Sequence, residues 1–269
     1  MAECIHGFED GLCDICFPRQ APESARSATA SPRAAPRRRP TKLTAPEPSV
    51  PRFSAPSVAP TVSLARQRVY HVTHLANLDR IFDTGELRPS VGGEGAEGAE
   101  PAIDVSSATA RELRSTIEVV DQRSVAQYVP FYLSPDATRW NELRTGGVGV
   151  HWSDDARASS AADYVVLVAP LSELGPDTAI AGGDAAGPVT RFALGDEENL
   201  RMLRRLHAEG GPLDEAEALA VEPVAVTSFA LIGVANDPIR DRVRAMLRSA
   251  GLTTKVSVYP PWFQPAEQE

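Results

Sequence analysis

A change of composition near residue 63 is the feature that most limits what this chain can fold into. Residues 19–63 are rich in proline, alanine, serine and arginine and hold almost no large apolar side chains. Such a segment buries too little apolar surface to offset the entropy lost on folding, so we expect a disordered, semi-extended linker. The folded domain is therefore predicted over residues 64–269, a length that suits one domain.

The charges of the linker differ from those of the chain as a whole. Only Glu23 and Glu47 are acidic among its mostly basic charges, whereas the formal net charge of all 269 residues is −9. That overall acidity argues against a surface built to bind duplex DNA. The basic linker suits either nonspecific attraction to nucleic acid phosphates or solvation of an unfolded segment, and the sequence leaves both open.

The first 18 residues contain all three cysteines of the chain, two of them in a C-x2-C pair, together with one histidine. Thiolate and imidazole suit tetrahedral zinc, and a segment too short for a core would take its folding energy from the metal. The competing interpretation is a frayed terminus with incidental cysteines. We predict a zinc knuckle over residues 1–18, structural because every ligand is a protein side chain, with the ligands Cys4, His6, Cys13 and Cys16.

Cysteine usage and hydropathy bear on where the protein works. No cysteine lies beyond residue 16, so a disulfide framework is not expected, which favours a reducing compartment. No apolar run reaches the roughly 18 residues that a membrane span needs. The first residues lack the basic and apolar regions of a secretory signal. We therefore expect a cytoplasmic protein without membrane attachment.

Strand and helix signals follow one another within the predicted domain. Alternating side chains predict a strand in "RVYHVTHL", and a helix follows in "ANLDRIFDTG", which Gly85 is expected to end. Another helix is predicted to begin at Ser106 or Ser107, and a later one has Asp237 as its N-cap and Pro238 in its first turn. Late strands separated by short loops favour antiparallel pairing, and the elements together predict an α+β fold.

Common catalytic signatures are missing from the sequence. No G-x-G-x-x-G follows a predicted strand, and the chain has no P-loop, H-E-x-x-H motif or G-x-S-x-G elbow. His71 and His74 lie three positions apart on the first predicted strand, so they point to opposite faces and cannot chelate one metal together. Thr73 shares the face of His71, and the two either bind a ligand or form a satisfied polar pair in the core.

The order of several segments is more specific. "YHVTHLANLDRIFDTGEL" resembles the opening of the catalytic domain of the DarT family, toxins that use NAD to ADP-ribosylate bases of single-stranded DNA. "SSATARELRSTIEV" is similar to the arginine-bearing helix of that family, and "VAQYVPFYLSP" to its tyrosine–valine–proline–phenylalanine–tyrosine signature. "AIAGGDAAGPVTRF" resembles its later loop, "DEAEALAVEPVAV" the segment with its catalytic glutamate, and "VSVYPPWF" its terminal strand. The resemblance spans roughly residues 68–263.

The resemblance implies a fold, a reaction and a set of site residues. The expected fold is the ADP-ribosyltransferase (ART) fold, with split, antiparallel-rich sheets flanked by helices. The expected reaction transfers ADP-ribose from NAD to a base of single-stranded DNA and releases nicotinamide, and the implied protein partner is a DarG-like macrodomain antitoxin. The implied catalytic residues are Glu217 and Arg114, and the implied NAD-binding residues are His71, Thr73, Asn77 and Tyr132.

Each of these assignments has a competing interpretation. A carboxylate near the ribose would stabilise the positive charge that develops as nicotinamide leaves, but Glu217 also suits an exposed strand position. Arg111 lies one turn before Arg114 and is the alternative functional arginine. Asn77 either touches NAD or caps a helix, and Tyr132 either contacts the nicotinamide or fills the core.

The chain departs from the family pattern at three places. After "YLSP" the segment Asp136–Trp140 replaces a basic residue and a methionine-containing turn, and Asp184 stands where asparagine or histidine is common. Ala218 replaces a bulkier residue after the glutamate. All three departures lie near the expected substrate side, so the target base is left open. Two alternatives follow: a transferase that modifies RNA or protein, and a catalytically degenerate module that binds NAD or nucleic acid.

Overall fold

The computed structural model describes residues 62–91, 101–120, 122–147, 149–208 and 210–265. These ranges hold most of the predicted domain. The predicted zinc ligands Cys4, His6, Cys13 and Cys16 and residues 19–61 of the predicted linker lie outside them, so both predictions stay predictions.

A large β-sheet organises the described part of the chain. The strands are β1 (Arg68–His74), β2 (Glu86–Leu87), β3 (Glu118–Val120), β4 (Arg123–Ser124), β5 (Val129–Tyr132), β6 (Tyr164–Pro170), β7 (Ala179–Ala181), β8 (Phe192–Leu194), β9 (Glu217–Ala220), β10 (Val224–Ala225), β11 (Leu231–Val234) and β12 (Val256–Val258). Eight of them form one sheet in the order β12-β11-β6-β1-β5-β9-β7-β8, while β10 pairs with β2 and β3 pairs with β4. With the helices described next, this sheet bears out the predicted mixed α+β class.

The helices of the described residues are α1 (Leu78–Thr84), α2 (Ala108–Thr116), α3 (Thr138–Arg144), α4 (Asp154–Ala158), α5 (Asp196–Leu206) and α6 (Asp237–Ser249). Three of them, α1, α5 and α6, cover one face of the sheet. Phe82 of α1, Leu203 of α5 and Val243 of α6 join the sheet residues in the main hydrophobic core. Each belongs to an apolar stripe at helical spacing, which is how an amphipathic helix buries one side. None of the described helices is long and apolar enough to cross a bilayer.

The other face of the sheet is covered by aromatic packing. Trp140 of α3 is 1% exposed, and its ring centroid lies 5.5 Å from that of Tyr164 and 6.0 Å from that of Phe263. The Trp140 indole N–H donates a 2.6 Å hydrogen bond to the carbonyl oxygen of Trp262. These contacts fix α3 and the C-terminal segment on the face towards which Glu217 points.

The junction between β1 and β5 is narrow. β1 pairs with β6 along its whole length, but a single Cα pair, Tyr70↔Tyr132, joins it to β5. Pro130 has no amide hydrogen for the ladder, and its carbonyl oxygen is bonded to the side chain of His71 instead. The predicted split sheets are therefore corrected to one continuous sheet. Its β1–β5 junction is narrow, with a single Cα pair.

Helix ends show where the sequence signals succeed and where they miss. The Ser107 hydroxyl caps α2, and Gly85 ends α1 in the left-handed conformation at φ 73°, both as predicted. The cap of α6 is Asn236 and not the predicted Asp237, because the Asn236 side chain accepts the 3.1 Å hydrogen bond from the Ile239 amide. Adjacent residues that are both good caps leave the boundary ambiguous by one position.

The last strand departs from the predicted antiparallel pairing. β12 runs parallel to β11 at the edge of the sheet. The intervening helix α6 returns the chain to the same end of the sheet, which is the connection that a parallel pair requires.

Candidate active site

A pocket lies at the junction of β1 and β5. Strand alternation assigns His71 and Thr73 to the face of the sheet that α1, α5 and α6 cover, and Tyr132 and Glu217 to the other face. Both pairs line the same pocket, because the two strands are joined at only one Cα pair here. The pocket brings together all of the site residues that the sequence predicted within the described chain: His71, Thr73, Asn77, Arg114, Tyr132 and Glu217.

Glu217 begins β9 and is 3% exposed. Its register places it between Tyr132 of β5 and Ala181 of β7, in the middle of three strands. A carboxylate at this depth requires hydrogen-bond donors. Glu217 Oε1 accepts from Arg114 Nη1 at 3.3 Å and from the Ala185 amide at 3.1 Å, and Oε2 accepts from Arg114 Nη2 at 3.0 Å. The alternative of an exposed strand carboxylate is therefore wrong.

The two carboxylate oxygens of Glu217 are not equivalent. Oε1 accepts hydrogen bonds from both Arg114 and Ala185, whereas Oε2 accepts one from Arg114. Each carboxylate oxygen has two lone pairs. Oε2 is therefore the oxygen with capacity left for a hydroxyl group of a ligand.

Arg114 reaches Glu217 from α2, and its side chain is 19% exposed. Burial would lower the pKa of the guanidinium, but the charge and hydrogen bonds of Glu217, together with nearby Tyr132 and Asp184, raise it above its ordinary value. Arg111, one turn earlier, bonds instead to the carboxylate of Asp104 and the carbonyl oxygen of Ser106. The structure thus places Arg114, and not Arg111, on the buried carboxylate.

Tyr132 lies beside Glu217 across the β5–β9 ladder. Burial raises the pKa of its phenol, and the negative charge of Glu217 raises it further. Tyr132 therefore keeps its proton at neutral pH, and its hydroxyl is available as a hydrogen-bond donor in the pocket.

His71 is a neutral imidazole of defined tautomer. Burial lowers its pKa from 6.5 to about 4. Its Nδ1 lies 2.8 Å from the Pro130 carbonyl oxygen, which can only accept, so Nδ1 carries the proton. The second ring nitrogen, Nε2, then holds a lone pair and is an acceptor for a ligand N–H or O–H group.

Asn77 links β1 to the segment that borders the pocket. Its Nδ2 donates to Thr73 Oγ1 at 3.1 Å and to the Ile103 carbonyl oxygen at 3.0 Å, and its Oδ1 accepts from the Ile103 amide at 2.8 Å. It makes no side-chain cap on α1, so the capping alternative is wrong. The polar atoms of Asn77 are mostly used in holding Ile103, which itself lines the pocket.

His74 has a structural place on the opposite face of β1 from His71. Its Nδ1 accepts a 3.1 Å hydrogen bond from the Ala76 amide and so caps the short turn before α1. Its ring also meets Tyr164 edge-on at a centroid distance of 5.4 Å.

Two groups of the site were not predicted from the sequence. One is the backbone amide of Ala185, which has no side-chain signature. The other is Trp152, which lines the pocket and is 7% exposed, and whose indole N–H has no hydrogen-bond partner among the described residues. A single tryptophan after a glycine-rich turn is indistinguishable in sequence from a core residue.

Comparison with known proteins gives a consistent result. A family model for DarT, the ssDNA thymidine ADP-ribosyltransferase, matches residues 70–264. No curated protein matches the chain in sequence.

Solved structures resemble the chain in fold. Thermus sp. 2.9 DarT in complex with ADP-ribosylated ssDNA is similar with a TM-score of 0.61 and 18% identity, over 73% of this chain and 96% of that chain. The same protein in complex with NAD+ gives a TM-score of 0.55 and 17% identity, over 73% and 97% of the two chains. Thermosipho africanus DarTG in complex with ADP-ribose gives 0.53 and 16%, over 73% of this chain and 51% of that one.

Proposed function

Because the chain belongs to the DarT family of ssDNA thymidine ADP-ribosyltransferases, we propose that Glu217 and Arg114 are its catalytic pair and that the pocket between β1 and β5 is its NAD site. Family membership bears out the predicted activity: the chain is an NAD-dependent enzyme that transfers ADP-ribose to a base of single-stranded DNA. The observation that carries the residue assignment is the buried Arg114–Glu217 ion pair on the wall of the pocket.

The chemistry explains why a buried carboxylate is needed. The bond between C1′ of the ribose and the nicotinamide nitrogen breaks, and nicotinamide leaves as a neutral molecule with the electron pair. Positive charge then develops on the ribose, and a fixed negative group beside it stabilises the transition state. Glu217 supplies that group, and its Oε2 has the capacity to accept a bond from a ribose hydroxyl.

The acceptor base completes the transfer. A nitrogen or oxygen of the base bonds to C1′, and the base gives up one proton. Three carboxylates line the pocket, and Glu217 is the one proposed to orient the base or accept this proton. Arg114 orients the carboxylate, using two of its five N–H donors on Glu217.

His71, Thr73 and Tyr132 are proposed to hold the nicotinamide riboside end of NAD. The Nε2 lone pair of His71 suits a carboxamide N–H or a ribose hydroxyl. The hydroxyl of Thr73 accepts from Asn77, which leaves its own hydrogen free to donate to the ligand. Tyr132 adds a donor beside the carboxylate. Asn77 contributes by holding Ile103 at the border of the pocket.

The phosphates of NAD require cationic or N–H partners. Arg80 and Arg88 line the pocket, and Arg88 is bonded to Glu86 at 2.6 Å. Arg80 lies exposed on α1 and is the proposed pyrophosphate contact. The indole N–H of Trp152, which has no partner in the described part of the chain, offers a further donor to an acceptor atom of the ligand.

Thymidine is the proposed acceptor base, since the family description names it. The test incubates the full chain with NAD and single-stranded oligonucleotides that contain thymidine or have every thymidine replaced, and weighs the products. An ADP-ribose adduct only on the thymidine-containing strand, absent with Glu217→Gln, is the expected result. An adduct on another base, or on RNA or protein alone, would overturn the thymidine assignment, and NAD binding without turnover would identify a degenerate module.

Three further proposals concern the rest of the system. The C-x2-C pair, Cys4 and His6 support a structural zinc site at residues 1–18. A DarG-like macrodomain that removes the modification is the proposed protein partner, supported by the DarTG name of one solved relative. The low cysteine content supports work in the cytoplasm.

A further inference from the structure

Arg139 and Asp184 form an ion pair next to the backbone amide that bonds to Glu217. In the sequence these residues belong to two separate departures from the family pattern, the segment Asp136–Trp140 and Asp184. In the structure Arg139 Nη2 donates to Asp184 Oδ2, and both side chains are partly buried, 26% and 28% exposed. Neither residue lines the pocket. The next residue after Asp184 is Ala185, whose amide bonds to Glu217.

Asp184 organises the turn of residues 184–190, which we call the Asp184 turn. Its Oδ1 accepts a 2.9 Å hydrogen bond from the Ala186 amide. Its carbonyl oxygen accepts from the Gly187 amide at 2.8 Å and from Thr190 Oγ1 at 2.6 Å. The Ala185 amide directly follows Asp184 in the chain, and Asp184 also bonds to the amides of the next two residues, Ala186 and Gly187. The direction of the Ala185 amide therefore depends on the position of Asp184.

Arg139 supplies a fixed partner for that turn. On α3, its Nη1 also bonds to Glu142 Oε2 at 3.0 Å. The same helix is anchored to the C-terminal segment by Trp140 and by Arg144, whose side chain is 1% exposed and whose Nη1 donates to the Trp262 carbonyl oxygen at 3.1 Å. A rigid helix thus presents one guanidinium to the Asp184 turn.

The charge of Asp184 interacts with Arg114 of the site, and each shifts the pKa of the other. Burial would raise the pKa of Asp184, but Arg139, the Ala186 amide and the charge of Arg114 together lower it, so Asp184 stays ionised at neutral pH.

We propose that Arg139 and Asp184 are positioning residues: their ion pair holds the Asp184 turn so that the Ala185 amide occupies Glu217 Oε1 and leaves Oε2 for the ribose. This inference rests on the proposed catalytic role of Glu217. A donor displaced by a fraction of an ångström would let the carboxylate rotate away from the ribose. Since misplacement of a reacting group by 1 Å costs about 100-fold in rate, the effect should fall on kcat and not on NAD binding.

The test compares three variants of the full chain with the wild type: Arg139→Gln, Asp184→Asn and the double variant. Asparagine keeps an acceptor for the Ala186 amide and removes only the charge. We expect each single variant to lower kcat by about 10- to 100-fold while the KM for NAD changes less than about twofold. The double variant should be no slower than the worse single one, because the pair acts as a unit. Arg139→Lys should recover part of the rate.

A matched control lies on α5, where Arg201 and Glu197 form an ion pair at 3.3 Å with side chains 61% and 89% exposed. Arg201→Gln should leave kcat unchanged. Each rate is divided by the concentration of folded enzyme, which is measured by NAD titration. A loss of folded protein is then not mistaken for a lower kcat. Unchanged kcat in Arg139→Gln and Asp184→Asn would overturn the proposal, as would a raised KM for NAD or DNA at constant kcat, which would mean substrate contact.

Nicotinamide release is measured in parallel with DNA modification. Loss of both in Glu217→Gln, with neither lost in the Arg139 and Asp184 variants, would refute only the positioning role. If the wild type modifies no DNA, the acceptor assignment fails, while the kcat for nicotinamide release with water as acceptor still tests the positioning role.

Discussion

Arg114 and Glu217 lie 103 positions apart in the chain and meet through two hydrogen bonds, at 3.3 and 3.0 Å. Their side chains are 19% and 4% exposed. Neither charge is stable at this depth without the other, because burying an unpaired charge costs several kcal/mol. The same contact therefore supports folding and catalysis, and mutations can separate the two.

Glu217→Gln removes the negative charge from the transition state while keeping the shape of the side chain. We expect kcat for ADP-ribosyl transfer to fall by at least about 100-fold. The buried guanidinium of Arg114 also loses its counter-charge, so the free energy of unfolding should fall by up to about 3 kcal/mol. Steady-state kinetics and urea unfolding of the same sample measure both effects. Full activity in this variant would exclude Glu217 as the catalytic carboxylate.

The double variant Arg114→Met with Glu217→Gln removes both charges and fills the space with an apolar chain. Replacing a buried ion pair in this way is often neutral for stability. We expect its unfolding free energy to recover towards the wild-type value while its activity stays absent. Recovery of stability without activity would show that loss of rate in Glu217→Gln is not a consequence of unfolding.

Arg114 and Arg111 provide a matched pair on one helix. Arg114→Ala leaves the Glu217 carboxylate buried without its counter-charge, and we expect kcat to fall by at least about 100-fold. Arg111 bonds to Asp104 and Ser106 at the edge of the pocket, so Arg111→Ala should change kcat by less than about threefold. An equal loss from the two variants would contradict the assignment of roles.

Several features of the site could be predicted because they depend on local side-chain chemistry. Strand alternation put His71 and Thr73 on one face, and a serine before a helical stretch identified Ser107 as a cap. Segment resemblance supplied the family and proposed Glu217 and Arg114, which the structure brings into contact.

The features that could not be predicted depend on distant contacts. The Ala185 amide reaches Glu217 only because β9 lies between β5 and β7. Arg139 and Asp184 are 45 positions apart, and neither side chain signals the other. The pocket takes side chains from both faces of the sheet because β1 and β5 are joined by a single Cα pair next to Pro130, which the periodicity of the sequence does not reveal.

The zinc prediction depends on ligands outside the described residues. In the part of the chain that the structure describes, no group of three or more metal-binding side chains is placed to hold an ion. We expect the wild-type chain to carry about one zinc per molecule and Cys13→Ser to carry much less, since a structural site needs all four ligands. Metal analysis after dialysis measures this, with a Ser24→Ala variant in the linker as the control. Equal zinc in wild type and Cys13→Ser would refute the proposed ligands.

His71 should make folding sensitive to mild acid. Its pKa is 6.5 in the unfolded chain and about 4 in the fold, because burial disfavours the charged ring. Above 6.5 both states leave the ring neutral, so His71 imposes no penalty there. As the pH falls from 6.5 towards 4 the unfolded chain binds a proton that the fold does not, and the free energy of unfolding decreases. Below about 4 the loss stops.

His71→Gln isolates this contribution, since glutamine does not titrate and its amide can still donate to Pro130. Urea unfolding at pH 7 and pH 5 should show a larger loss of stability in wild type than in His71→Gln. The other histidines contribute equally to both proteins and cancel in the difference. Identical pH dependence in the two proteins would show that His71 protonates as readily in the fold as in the unfolded chain.

Asn77→Ala tests whether NAD binding depends on the Ile103 segment. The substitution removes two hydrogen bonds to the Ile103 backbone and one to Thr73, at about 1 kcal/mol each. We expect faster hydrogen exchange at the Ile103 amide and a KM for NAD raised by about 10-fold, with a smaller change in kcat. Asn236→Ala is the control, because it removes a helix cap at a residue that does not line the pocket. That variant should lose stability with its KM for NAD unchanged, and an equal rise of KM in both would mean that general destabilisation, not the Ile103 contact, weakens NAD binding.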